Sequence, residues 1–204
     1  RDESDEGLST SELQSNWDIR ELQADALYGA GSLEPSLAKY QSLKQEFDHW
    51  AQLPRAQQED PALISSASLL EMRVRIRRKF GNVQERLGLL DEAQASFLEA
   101  FGLLNLRVTA DPSSKAKFLT TLGMLSHNFF ASLDSHGTWA VQEIHRIGDR
   151  LTRVLYLLRP KAWSNDFLNL ILLQFRAAWR LRELENDDSP GQSMAQVLLV
   201  GGYI

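Results

Sequence analysis

The stretch MRVRIRRKFGNVQERLGLLDEAQASFLEAFGLLNLR (residues 72–107) carries the most readable pattern in the chain. Met72, Ile76, Phe80, Val83 and Leu87 recur at i, i+4, i+8, i+11 and i+15. That spacing lines one continuous apolar face of an α-helix. Gly88 follows immediately, and glycine is the residue that most readily takes the left-handed backbone closing a helix. Asp91 then opens a second helix, expected to run to about Val108. Two helices joined by so short a break must lie antiparallel, so the stretch is a helical hairpin.

Working outward, the same punctuation repeats. Ser11 caps a first helix reaching about Tyr28, ended by Gly29 and Gly31. Pro35 suits the first turn of a second helix, which runs to about Leu53. Asp60-Pro61 is a capping carboxylate followed by a first-turn proline, and starts the long third helix that ends near Leu87. Downstream, Asp111-Pro112 opens a fifth helix fading near Ala131, Thr138 caps a sixth to Leu158, and Ser164 caps a seventh to about Leu184. The expected class is therefore all-α, about seven helices in antiparallel hairpins. Residues 1–10 read as an acidic, flexible N-terminus and 11–185 as the helical domain. Residues 186–204 read as a linker and an apolar tail containing Val197-Leu198-Leu199-Val200.

Composition supports this and excludes several function classes. Only 12 glycines and 6 prolines occur in 204 residues, few for a turn-rich β protein. Cysteine is absent, which removes disulfides, thiolate metal sites and a cysteine nucleophile, and is compatible with a reducing compartment. The acidic first residues lack the apolar core of a signal peptide. No apolar run reaches the roughly 18–20 residues that a membrane span requires. The expectation is a soluble intracellular protein, cytoplasmic or nuclear, with no membrane association. Net charge is −5 but is unevenly placed: residues 1–72 carry −9 and residues 115–182 carry +6. Such polarity either attracts an acidic partner to one half or pairs the two halves internally, and the second is the cheaper explanation.

Within residues 74–107, Phe80-Gly81 stands where the tetratricopeptide repeat has Leu-Gly, and Gly88 falls at that repeat's turn. Leu90, Ala93, Phe97 and Ala100 follow at the spacings of its aliphatic, small, aromatic and small residues. Gln84 departs from the pattern, since an aromatic residue is usual there. Gly31, Leu33, Ser36, Tyr40 and Leu43 echo the turn and second helix of such a repeat. Gly31 and Gly88 are 57 residues apart, however, against roughly 34 in the family. The chain thus resembles a divergent tetratricopeptide-like protein. The resemblance implies a short solenoid or an irregular bundle of hairpins, in which Gly81 and Ala93 permit close helix approach.

The resemblance also implies that the first helix of each hairpin faces a ligand groove. On the third helix, Arg75, Arg78, Lys79, Asn82 and Arg86 form a stripe beside the apolar face, and Arg78 and Asn82 have the spacing of a carboxylate-holding pair in the family. These five are the candidate partner-binding residues. The competing account is a solvated basic face balanced by acidic N-terminal helices. A second basic row is Arg146, Arg150 and Arg153, at i, i+4 and i+7 on the sixth helix.

Catalysis finds no support. The four histidines (His49, His127, His136, His145) form no metal-ligand spacing. Glu143, His145 and Asp149 read as helix neighbours rather than an acid–base set. No phosphate loop, nucleophile elbow or dinucleotide motif is present, so no catalytic residue, metal or cofactor is expected. Trp50 and Trp163, beside polar breaks, are the tryptophans best placed for exposure. The expected function is a non-catalytic scaffold or adaptor that binds a peptide or helix of another protein, one bearing acidic groups or a carboxylate. Two alternatives stand. One is a regulatory or nucleic-acid-associated domain using the basic rows, which the pI of about 5.4 disfavours. The other is a self-assembling structural domain using the C-terminal tail.

Overall fold

A computed structural model of the chain describes residues 10–52, 66–106 and 137–158, and eight positions between 170 and 181. They form α1 (Thr10–Gly29), α2 (Leu33–Gln52), α3 (Ser66–Arg86), α4 (Leu90–Leu103) and α5 (Thr138–Leu158). The residues described between 170 and 181 are also helical. No strand occurs among the described residues, so the all-α expectation holds. The Asp60-Pro61 start, the expected helix over 111–131, Trp163 and the tail 186–204 lie outside them.

Three helices end by the same device. After α1, Ser32 N–H donates to Leu27 O and Gly31 N–H to Tyr28 O, with Gly31 at φ +80°. After α3, Leu89 N–H reaches Gln84 O and Gly88 N–H reaches Glu85 O, with Gly88 at φ +79°. After α4, Leu106 N–H reaches Phe101 O and Asn105 N–H reaches Gly102 O, with Asn105 at φ +58°. This paired closure satisfies carbonyls that the helix end would otherwise orphan. The third case corrects the expected end of the fourth helix, which stops at Leu103 and not near Val108. Asparagine tolerates the left-handed backbone better than other non-glycine residues, so Asn105 was the stop signal. Leu106, just past the turn, is folded back into the core.

Helices consecutive in the chain pack together: α1 on α2, α2 on α3 and α3 on α4. Beyond the 107–136 stretch, α5 packs on α4 and also on α3. Two hydrophobic clusters result. One joins α1 and α2 to α3 through Trp17, Tyr40, Leu43, Phe47, Met72, Ile76 and Val83. The other joins α3, α4, α5 and the 170–181 segment through Val74, Phe97, Phe101, Ile144, Leu151 and Leu173. Helix α3 is the wall shared by both. Trp17 packs edge-on against Phe47 at 4.7 Å and against Trp50 at 6.1 Å. Trp50 is therefore half-buried on the first cluster and not an exposed anchor.

The α3–α4 hairpin is the tightest crossing. A Cβ added at Gly81 would sit 2.7 Å from Phe97 Cε1, and the Phe97 ring is fully buried. Glycine here serves closeness of approach. At Gln84, where the repeat pattern has an aromatic, the side chain is buried and its Oε1 accepts a 2.7 Å hydrogen bond from Ser96 Oγ on α4. Ser96→Ala leaves that acceptor buried and unpaired. It is expected to cost about 1–2 kcal/mol in denaturant titration, and adding Gln84→Leu should recover most of the loss. On α5, Thr152 Oγ1 donates to Gly148 O at 2.7 Å and accepts from Gln174 Nε2 at 2.6 Å, docking the 170–181 segment.

Candidate functional site

Helical geometry divides the basic stripe of α3 into two flanks. Arg75, Lys79 and Arg86 turn toward α1. Arg78 turns toward α5, together with Glu85, and Asn82 lies between the flanks.

On the α1 flank, Arg75 grips Glu21 with both Nε and Nη2 at 2.8 Å, the planar fork matching the carboxylate. Lys79 Nζ donates to Glu21 Oε1 and to Asp25 Oδ2, each at 2.6 Å. The Tyr40 hydroxyl of α2 donates to the other Asp25 oxygen. Arg86 donates to Tyr28 O at 3.2 Å and lies over the Tyr28 ring, 4.7 Å from its centre. A continuous run of charge-assisted bonds thus ties α3 to α1 and on to α2. On the other side of α3, Arg77 and Arg73 both pair with Asp48 of α2.

On the α5 flank, Glu143 is buried between two guanidinium groups. Arg78 Nε donates to it at 2.5 Å and Arg146 Nη1 at 2.8 Å. Glu85 is buried in the reverse sense: it comes from α3 and meets two arginines of α5. Arg153 Nε lies 3.1 Å from its Oε1 and Arg150 Nη1 3.6 Å from its Oε2. Glu85 Oε2 makes no hydrogen bond, so its contact with Arg150 is one of charge alone. Asn82 Oδ1 is enclosed and also accepts no hydrogen bond.

Burial alone would raise the Glu21 carboxyl, but hydrogen bonds and charges from Arg75 and Lys79 outweigh it and hold it below its ordinary value. Asp48 behaves likewise, burial being overcome by Arg77, Lys44 and Arg73. Burial lowers His145, opposed by the Asp149 charge and assisted by Arg146. All three groups bind protons more weakly when folded, so each stabilises the fold at neutral pH and loses that contribution as pH falls. Thermal unfolding followed from pH 8 downward should show Tm declining first below about 6.5, where His145 begins to charge in the unfolded chain. The decline should steepen below about 4.5, where the unfolded carboxylates take up protons. A Tm rising on acidification would contradict it.

The sequence-derived residues are thus all placed. Arg75, Lys79 and Arg78 hold carboxylates of neighbouring helices, Arg86 holds an aromatic ring and a carbonyl, and Asn82 has an idle oxygen. Arg150 and Arg153 reach Glu85 of α3, whereas Arg146 bonds Glu143 of its own helix. The buried acids Glu21, Glu85 and Glu143 escaped selection as site residues. The signal for them was the opposite charge of the two halves. Among the described residues no group of histidines and carboxylates has the geometry of a metal site. None of the described helices is long and apolar enough to cross a membrane. No protein-family model matches the chain, and comparison with curated proteins and with solved structures finds no match to either.

Proposed function

We propose that the chain is a non-catalytic protein-interaction scaffold of divergent tetratricopeptide-like type, receiving a peptide or helix of a partner protein along the face where α1, α3 and α5 lie side by side. The observation that carries this reading is the alternation of elements. Each of α1 and α3 is followed, after a short left-handed turn, by a second helix packed against it, and the first helices are tied to one another directly: Glu21 to Arg75, and Arg78 to Glu143. A row of first helices held in register by their own side chains is a rigid platform, and rigid platforms lose little entropy on binding.

The test is selection from a displayed library of random twelve-residue peptides by the immobilised chain. A shared motif is expected among the enriched peptides. Their binding should be blocked by Asn82→Trp on α3 and left intact by Gln41→Trp, an exposed site on α2. Failure of the library to converge on any motif would overturn the reading.

A further inference from the structure

The α3–α5 seam has an uneven stoichiometry. Four guanidinium groups (Arg78, Arg146, Arg150 and Arg153) share two buried carboxylates, Glu143 and Glu85. One cation neutralises each acid, so two positive charges remain. The most exposed of the four are Arg146 and Arg153, at 56% and 64%, against 36% for Arg150 and 13% for Arg78. Asp149, the remaining acid of α5, is a helix neighbour of both, about 60° round from Arg146 and about 40° from Arg153, but forms no ion pair with either. The same stripe carries half-buried Trp139 at one end and Leu157, 51% exposed, at the other.

We infer that this seam is a binding site for an acidic segment of a partner protein, two of whose carboxylates complete the half-used guanidinium groups of Arg146 and Arg153 while an apolar side chain covers Leu157. The inference rests on the scaffold reading and assigns its contact. It moves the contact from Arg75 and Lys79, already spent on Glu21 and Asp25, to the α5 row. Two properties favour a peptide over a nucleic acid. Arg146 and Arg153 are roughly 10 Å apart along the helix, at about 1.5 Å per residue. Two carboxylates seven residues apart on a helix, or three apart on an extended strand, span the same distance. A duplex presents roughly six phosphate charges over that length against two available here, and the chain as a whole carries −5.

Arg146→Gln/Arg153→Gln tests this, because it removes the two most exposed charges, leaving Arg78 bonded to Glu143 and Arg150 as the countercharge of Glu85, 3.6 Å from its Oε2. The same random twelve-residue library is selected on the wild type. Enriched peptides are then synthesised with a fluorescein label and titrated by anisotropy at low and high salt. A twelve-residue oligothymidylate serves as the polyanion probe. Expected are enriched peptides bearing paired Asp or Glu. Their affinity should fall about tenfold in the Gln/Gln variant, recover in Arg146→Lys/Arg153→Lys, and fall with salt. Peptides that converge on a motif but bind the Gln/Gln variant as tightly as wild type overturn the seam while sparing the scaffold reading. Tighter binding of the oligothymidylate than of any peptide overturns the choice of partner. No enrichment overturns both. A Gln/Gln variant whose Tm drops by more than a few degrees overturns the premise that those charges are surplus.

Discussion

Glu21→Gln is expected to destabilise the fold by about 2–3 kcal/mol, among the largest losses any single polar substitution should produce here. Glu21 is nearly isosteric with glutamine, so packing is unchanged and the effect isolates charge. The neutral amide cannot satisfy the Arg75 fork and the Lys79 ammonium together, and two cations are left facing each other across a half-buried gap. Removing one member of a fully buried pair costs about 3–5 kcal/mol, and the figure is set lower because Arg75 and Lys79 keep part of their exposure. Urea titrations at pH 7 and at pH 3.5 separate the causes. The gap between wild type and variant should be wide at pH 7 and should narrow at the lower pH, where Glu21 of the unfolded wild-type chain takes up a proton that the folded carboxylate binds more weakly. A gap independent of pH would show that the loss is steric and not electrostatic.

The second large effect lies at the α3–α4 crossing. Phe97→Ala should cost about 3–5 kcal/mol, since the ring is fully buried and its removal opens a cavity that rigid helices cannot close. More informative is Gly81→Ala. In an open helix this change is stabilising by about 1 kcal/mol. Here the new methyl would overlap the Phe97 ring, with three ring carbons at 2.7–3.0 Å, so a net loss of about 1–2 kcal/mol is expected. In a Phe97→Leu background the overlap is relieved, and Gly81→Ala should then become neutral or stabilising. Denaturant unfolding of the four proteins gives the coupling directly. If Gly81→Ala stabilises the wild type, the close approach is not what the residue is for.

These two sites also mark what was legible beforehand. The close approach at Gly81 is what the tetratricopeptide resemblance implies, which sets Gly81 and Ala93 at the crossing; the structure adds that the Phe97 ring lies against Gly81. Local signals gave the turn itself and the Thr138–Leu158 span well. They misplace the end of α4, because an asparagine is compatible with a helix as well as with the left-handed turn that Asn105 adopts. Charge was legible only in sum. The surplus of acid before residue 72 and of base after it announced internal pairing. That Arg75 takes Glu21 and Arg78 takes Glu143 depends on which helices lie beside α3 and at what height, and that is a property of packing with no local trace. Gln84 was the opposite case: a departure from the repeat pattern whose reason, Ser96, appears only across the hairpin.

Helix α3 forms one side of both hydrophobic clusters. Fraying at either end therefore stops at the same place, since loss of α1 and α2 uncovers one face of α3 and loss of α4 and α5 with the 170–181 segment uncovers the other. Amide exchange should be slowest along Val74–Val83 and quicken outward in both directions, and a destabilising change in one cluster should be felt in the other only as far as it weakens that helix. The chain then behaves as two half-proteins sharing a spine, and its cooperativity is a measure of how well α3 holds its shape when one of them has let go.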